Sequence, residues 1–212
     1  MYEDAPQCQI KGLDLILMNH FGYHDQGTFV EIGAYDGYNF SNTWGLARAD
    51  WKGLYVEPIP EHSQACYGNH MNSKNVKVMN CACGSYNGEI TMFPSGPISS
   101  YSAWFVNSEF WRDRYDHTRA IRVPIFTLDK ILEDNFIKPG FELLVIDVEG
   151  AELEVLSEFN LKYWEPQMVI IEAQENHPSE EMRVMATEIN EFFKEYKKIY
   201  SDEINNIYWR VG

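Results

Sequence analysis

Short β-branched and aromatic runs alternate along this chain with longer amphipathic stretches, a pattern that predicts strands and helices in turn. Thr28–Ile32, Gly53–Val56, Asn75–Cys83, Phe141–Ile146 and Gln167–Ile171 read as strands. Ser41–Arg48, Pro60–His70, Thr127–Leu132, Ala151–Phe159 and Glu180–Tyr196 read as helices, the last with Met182, Met185, Ile189, Phe192 and Phe193 at helical spacing. Such alternation favours a mainly parallel α/β sheet covered on both faces, and the nearly unbroken apolar run Phe141–Ile146 suits its buried middle. Glu89–Phe93 and Val123–Phe126 add short strands, and Lys198–Tyr200 with Ile207–Arg210 predicts a closing pair of edge strands. Ahead of the first strand, Ile10–Phe21 reads as a short helix followed by the loop Gly22–Gly27. Residues 1–27 are therefore expected to form a helical extension packed on one domain spanning 28–212.

The rhythm fails over 94–122, where Pro94, Gly96 and Pro97 lead into Ser99, Ser100 and Tyr101. Trp104, Phe105, Phe110, Trp111 and Tyr115 follow, mixed with Arg112, Arg114, His117, Arg119 and Arg122. No other stretch is both basic and aromatic. Tyr101, Trp104, Trp111 and Arg112 are expected to form a lid or platform for a substrate, rings covering apolar faces while arginine and serine donate hydrogen bonds.

Composition narrows the partners. The 212 residues are 45% hydrophobic and 15% aromatic, enough for one domain with a substantial core. Seventeen basic against 32 acidic residues give a net charge of -15, which offers no attraction to nucleic acid or to an anionic membrane. No apolar run is long enough to span a bilayer, and the N-terminus lacks a secretory pattern. Cys8, Cys66, Cys81 and Cys83 form no metal-like pair, and the two flanking Ala82 should share one strand face as small hydrophobes. Reduced thiols and a cytoplasmic compartment are expected.

Candidate chemistry lies at the strand ends. Thr28–Ile32 runs into Gly33-Ala34-Tyr35-Asp36-Gly37, a strand–glycine–helix elbow of the kind that brings backbone against a nucleotide-like ligand. Acids at Glu31 and Asp36 would repel a pyrophosphate but suit the ammonium, sulfonium and ribose diol of S-adenosylmethionine. Glu57 ends the next strand at roughly the spacing of a ribose-binding carboxylate, about 20 residues on. Asp147 with Glu149, and Glu172, end two more strands, so four acidic strand ends should converge on one rim.

Phe29-Val30-Glu31-Ile32-Gly33-Ala34-Tyr35-Asp36-Gly37, Tyr55-Val56-Glu57-Pro58, Thr127-Leu128-Asp129 and Ile146-Asp147-Val148-Glu149-Gly150-Ala151-Glu152 resemble the FkbM family of S-adenosylmethionine-dependent methyltransferases, over about Thr28 to Ala173. The resemblance implies a class I, Rossmann-like three-layer sandwich whose seven-stranded sheet ends in an antiparallel strand, and O-methylation of a sugar or glycan, a deoxyhexose such as rhamnose among the candidates. Related domains also occur fused to glycosyltransferases, including in large algal viruses, so a domain of a larger glycan-synthesis protein, working in a host cytoplasm, is one expectation it raises.

Carried over by position, Glu31, Gly33, Asp36 and Gly37 would hold the methionine end, Glu57 the ribose, and Asn80, Cys81 and Ala82 the adenine edge. Tyr35, standing where the family commonly has asparagine, joins that set with Asn42 and Pro58, and Ser99 or Ser100 would reach the cofactor's carboxylate. A sugar hydroxyl needs a base or a metal to lose its proton. Asp147 is the first choice of base, Glu149 the second and His177 an alternative; Asp147 and Glu172 with Asn176 would cradle Mg²⁺ or Mn²⁺. Capping of the following helix by Asp147 is the competing structural role. Two other classes share the rhythm: a nicotinamide-dependent oxidoreductase, and a binding module that has lost catalysis.

Overall fold

Neighbouring residues of each central strand enter different cores. A computed structural model describes Cys8 and residues 10–22 and 26–211 of the chain. Along β1 (Thr28–Ile32) and β2 (Lys52–Val56), Val30, Ile32, Leu54 and Val56 pack into one buried cluster. Phe29 and Tyr55 pack into another on the opposite face. That period of two is what a pleated strand buried on both sides produces.

The third parallel strand, β3 (Val76–Met79), stops early. The expected single strand Asn75–Cys83 is two: the chain bends after Met79, and β4 (Ala82–Cys83) enters a separate three-stranded sheet with β5 (Gly88–Met92) and β6 (Ile121–Phe126), in the order β4-β6-β5. Asn80 makes the break, its amide donating to the carbonyls of Glu57 and Pro58 at 2.9 Å. Cys81 and Cys83 nevertheless share one core cluster while Ala82 faces another.

The main sheet continues with β7 (Leu143–Ile146) and β8 (Met168–Glu172), then β9 (Tyr196–Ser201) and β10 (Asn205–Arg210), in the order β3-β2-β1-β7-β8-β10-β9. β10 runs antiparallel to both neighbours. The last two strands are thus not both edges: β10 lies inside the sheet, with Asn205 to Tyr208 buried, and β9 alone forms the border.

Helices cover both faces. α1 (Leu13–Phe21), α2 (Trp44–Arg48) and α3 (Pro60–His70) contribute Leu13, Leu17, Phe21, Leu46, Ala47 and Cys66 to the Phe29–Tyr55 side. α4 (Ala103–Asn107), α5 (Leu128–Asp134), α6 (Glu152–Ser157), α7 (Leu161–Trp164) and α8 (Glu180–Phe192) pack on the other. α8 starts where the Ser179 side chain accepts the Met182 amide and ends four residues before the predicted Tyr196, which already belongs to β9. The expected loop Gly22–Gly27 is described only at Gly22, Gln26 and Gly27; Tyr23, His24 and Asp25, like residues 1–7 and Gln9 of the N-terminal extension, lie outside the described residues. No described helix is long and apolar enough to cross a membrane.

Candidate active site

The carboxyl ends of β1, β2, β7 and β8 lie side by side, because these strands are adjacent and parallel. Gly33 follows β1 with φ +85°, and a Cβ there would stand 1.6 Å from the Asp147 carbonyl oxygen. The glycine therefore lets the ends of β1 and β7 close on each other. Gly37 serves packing too: a Cβ would meet the Cys66 sulfur at 2.6 Å, and its carbonyl takes a hydrogen bond with His70 at 2.7 Å.

Glu31 is buried and its oxygens are taken by the chain that follows. It accepts from the Ser41 hydroxyl at 3.0 Å, the Asn42 amide at 3.0 Å and the Thr43 hydroxyl at 2.6 Å. These bonds draw Ser41 to Thr43 out of the predicted helix, which begins only at Trp44. Burial raises the Glu31 carboxyl to about 7 despite those donors. Glu57 is likewise held by the chain that follows its neighbours, accepting from the Tyr35 amide at 2.9 Å and the Ile59 amide at 2.8 Å, with His62 Nδ1 3.6 Å away. Tyr35 has φ +50°, a backbone conformation that asparagine and glycine reach more readily.

Two neighbouring cavities with shared lining residues open along this rim. A narrow one is lined by Tyr35, Glu57, Pro58 and His62, by the apolar Ile32, Val56, Cys81, Ala82 and Met92, and by Tyr101. A wider one, of about 380 Å³, is lined by Glu31, Asn39, Phe40, Ser41, Ser95, Pro97, Ile98 and Arg114. Gly33, Tyr35, Pro97, Asp147 and Glu149 border both. Each cavity adds one acid of its own, Glu57 or Glu31, to the shared Asp147 and Glu149, and only the narrow one has the apolar wall, a division that suits a purine nucleoside joined to a cationic group.

Asp147, Glu149 and Glu172 form the acidic wall, with carboxylate oxygens all within 4.8 Å of one another. Burial pushes all three carboxyls up, Asp147 to about 6, and repulsion from neighbouring acids carries Glu149 and Glu172 well above the usual range. A hydrogen bond with Glu172 offsets part of the rise that burial causes at Asp147. Glu152, fully buried behind them, accepts from the Val148 and Gly150 amides through one oxygen and leaves the other without a partner. Glu149 holds φ +56°, and its carbonyl accepts from the Ser100 hydroxyl at 2.7 Å.

Several expected site residues are placed elsewhere. Asp36 caps its own turn, accepting from the Tyr38 and Asn39 amides and the Asn39 side chain, and lines neither cavity. Gly37, Asn42, Asn80 and Ser100 also line neither, each being engaged in holding a loop. His177 accepts the Ser179 amide and packs edge-on against Phe110, and Asn176 is exposed, so the third acid beside Asp147 and Glu172 is Glu149.

The acceptor-side residues do not meet on one surface. Tyr101 lines the narrow cavity and donates to the Cys83 carbonyl at 2.8 Å, while Trp104 lines a separate groove with Leu153 and Met185. Trp111 stacks on Phe105 at 5.5 Å, and Arg112 points out beside Asp113. Sequence reasoning missed Asn39, Phe40, His62, Met92, Pro97, Ile98 and Arg114 as lining residues. Two signals were available: Asn39 and Phe40 lie close to the glycine elbow, and Pro97, Ile98 and Arg114 fall inside the window 94–122.

The FkbM methyltransferase domain matches residues 31–200. The chain belongs to that family. The FkbM protein is thus an S-adenosylmethionine-dependent methyltransferase, which sets the nicotinamide oxidoreductase aside. Its fold is similar to an O-methyltransferase from Bacillus cereus solved with S-adenosylhomocysteine, at 16% identity and TM-score 0.53, covering 99% of this chain and 83% of that one. It is also similar to the O-methyltransferase TomG from Streptomyces achromogenes solved with S-adenosylmethionine, at 12% identity and TM-score 0.51, covering 94% and 78%. No curated protein sequence matches the chain.

Proposed function

We propose that this FkbM protein methylates a hydroxyl oxygen of a sugar or glycan, with the two cavities forming one cofactor and acceptor site. The observation that carries the reading is the acidic wall at the junction of the cavities, where Asp147 and Glu149 border both and Glu172 lies within 4.8 Å. S-adenosylmethionine supplies a methyl group on a sulfonium, open to in-line attack by oxygen.

Glu57 serves the ribose hydroxyls, and Cys81, Ala82 and Met92 wall the purine. Asp147, ionised above about pH 6, takes the acceptor's proton as the new bond forms, and Glu149 and Glu172 hold its charge in check. A sugar finds rings at Tyr35 and Phe40, centroids 6.5 Å apart, and polar groups at Asn39, Ser41 and Ser95. The methyl of a deoxyhexose such as rhamnose suits Ile98 beside them. The three carboxylates are hard oxygen donors close enough together to hold Mg²⁺ or Mn²⁺, which would acidify a bound hydroxyl; Asp147, Glu149 and Glu172 are then the ligands.

Incubation with methyl-labelled S-adenosylmethionine and a panel of glycosides, with and without chelator, tests this. Label in an acid-stable ether on a sugar oxygen is expected, and loss of transfer with chelator selects the metal-assisted form. Transfer to phenols but to no glycoside removes the sugar acceptor, and S-adenosylhomocysteine binding without transfer to anything leaves a silent binding module.

A further inference from the structure

The wide cavity has a single cationic residue among the described residues that line it. Arg114 ends the 3₁₀ turn Arg112–Arg114 and faces a wall that otherwise carries Glu31, Asp147 and Glu149. Its position is built. The Arg114 carbonyl accepts from the Ser95 hydroxyl at 2.7 Å, and the next residue, Tyr115, donates its hydroxyl to the Ile98 carbonyl. Two bonds therefore tie the arginine's segment to Ser95–Ile98, which forms the same cavity wall. The guanidinium lies 5.9 Å from the centroid of the Trp111 ring and makes no ion pair with the described residues.

A methionine end carries an ammonium and a carboxylate. Asp147 and Glu149 suit the first but repel the second. The serines that the sequence offers for the carboxylate are already engaged. Ser99 donates to the Gly96 carbonyl and accepts the Ser95 amide, and Ser100 donates to the Glu149 carbonyl and accepts the Ser102 amide. We infer that Arg114 binds the cofactor's α-carboxylate, making it a specificity residue for the intact amino-acid end. This rests on the reading of both cavities as one cofactor site. An arginine fork can take both carboxylate oxygens, which lysine, a point charge, cannot do.

Calorimetric titration of the wild-type protein and of Arg114→Ala and Arg114→Lys tests it, with two ligands differing only at that end. S-adenosylhomocysteine has the amino-acid group and 5′-methylthioadenosine lacks it. Arg114→Ala is expected to weaken S-adenosylhomocysteine by about tenfold and to leave methylthioadenosine within about twofold, with Arg114→Lys between. Unchanged S-adenosylhomocysteine affinity in Arg114→Ala overturns the assignment, as does equal loss for both ligands, which would mark a merely structural arginine. A raised acceptor KM with unchanged S-adenosylhomocysteine affinity gives Arg114 to the acceptor instead. Wild-type protein that binds neither ligand overturns the cofactor-site reading underneath.

Discussion

Single residues at the rim are held in places that leave little freedom. Gly33 is the sharpest case, since a methyl group there would need both a left-handed backbone and the space of a main-chain oxygen. Gly33→Ala is expected to cost about 3 kcal/mol or more, lowering the melting temperature by roughly 10 °C, as read by calorimetry. Asp147→Asn keeps the shape but cannot accept a proton. A fall in kcat of at least about 100-fold is expected, with S-adenosylhomocysteine affinity within about tenfold. In the wild type kcat should climb with pH through about 6, where Asp147 loses its proton. Glu152 offers a cleaner electrostatic case, because burial holds its carboxyl up at about 7 rather than 4.5. Glu152→Gln should melt higher than wild type above about pH 7, and the gain should shrink as pH falls and be gone well below about pH 4.5, where the acid is neutral both folded and unfolded.

Elements show what a linear sequence does and does not display. β1, β2, β7 and β8 were legible as apolar runs ending in acids, because buried parallel strands have no polar face to interrupt them. The passage from β3 to β4 was not, since a chain changing sheets can keep its two-residue alternation. Asn80 marks the change, but through bonds to Glu57 and Pro58 that lie more than 20 residues away in sequence. The window 94–122 was legible as irregular and aromatic, yet an irregular backbone has no period to say where a side chain points. Trp104 and Trp111 turned inward against protein, and Arg114 was overlooked. Ser100, read as a cofactor ligand, instead fastens this window to Glu149, and Trp104 adds a bond to the Gly150 carbonyl at 3.1 Å. Ser100→Ala should expose the Glu149–Gly150 backbone to faster hydrogen exchange while leaving the exchange of β1 and β7 unchanged.

The whole molecule gathers buried acids in a protein already carrying a net charge of -15. Glu31, Asp147, Glu149, Glu152 and Glu172 all have carboxyls raised by burial. A raised acid favours the folded state most when it is protonated. The linked stability is complete below the ordinary value of about 4.5 and is lost as pH rises through about 7. The melting temperature of the free protein should therefore decline across that interval. Saturating S-adenosylmethionine, a cation at the acidic wall, should flatten the decline, and a slope unchanged by the ligand would separate the wall from the cofactor.

The two bonds from Ser100 and Trp104 to the Glu149–Gly150 backbone also bear on how such enzymes diversify. They join the irregular stretch 94–122 to the loop that carries the acids, so the two cannot be exchanged as independent cassettes. Grafting the corresponding stretch of another FkbM protein onto this scaffold would shift the seat of Glu149 along with any new acceptor contacts. A change of acceptor on this framework has to be accompanied by a retuning of its chemistry.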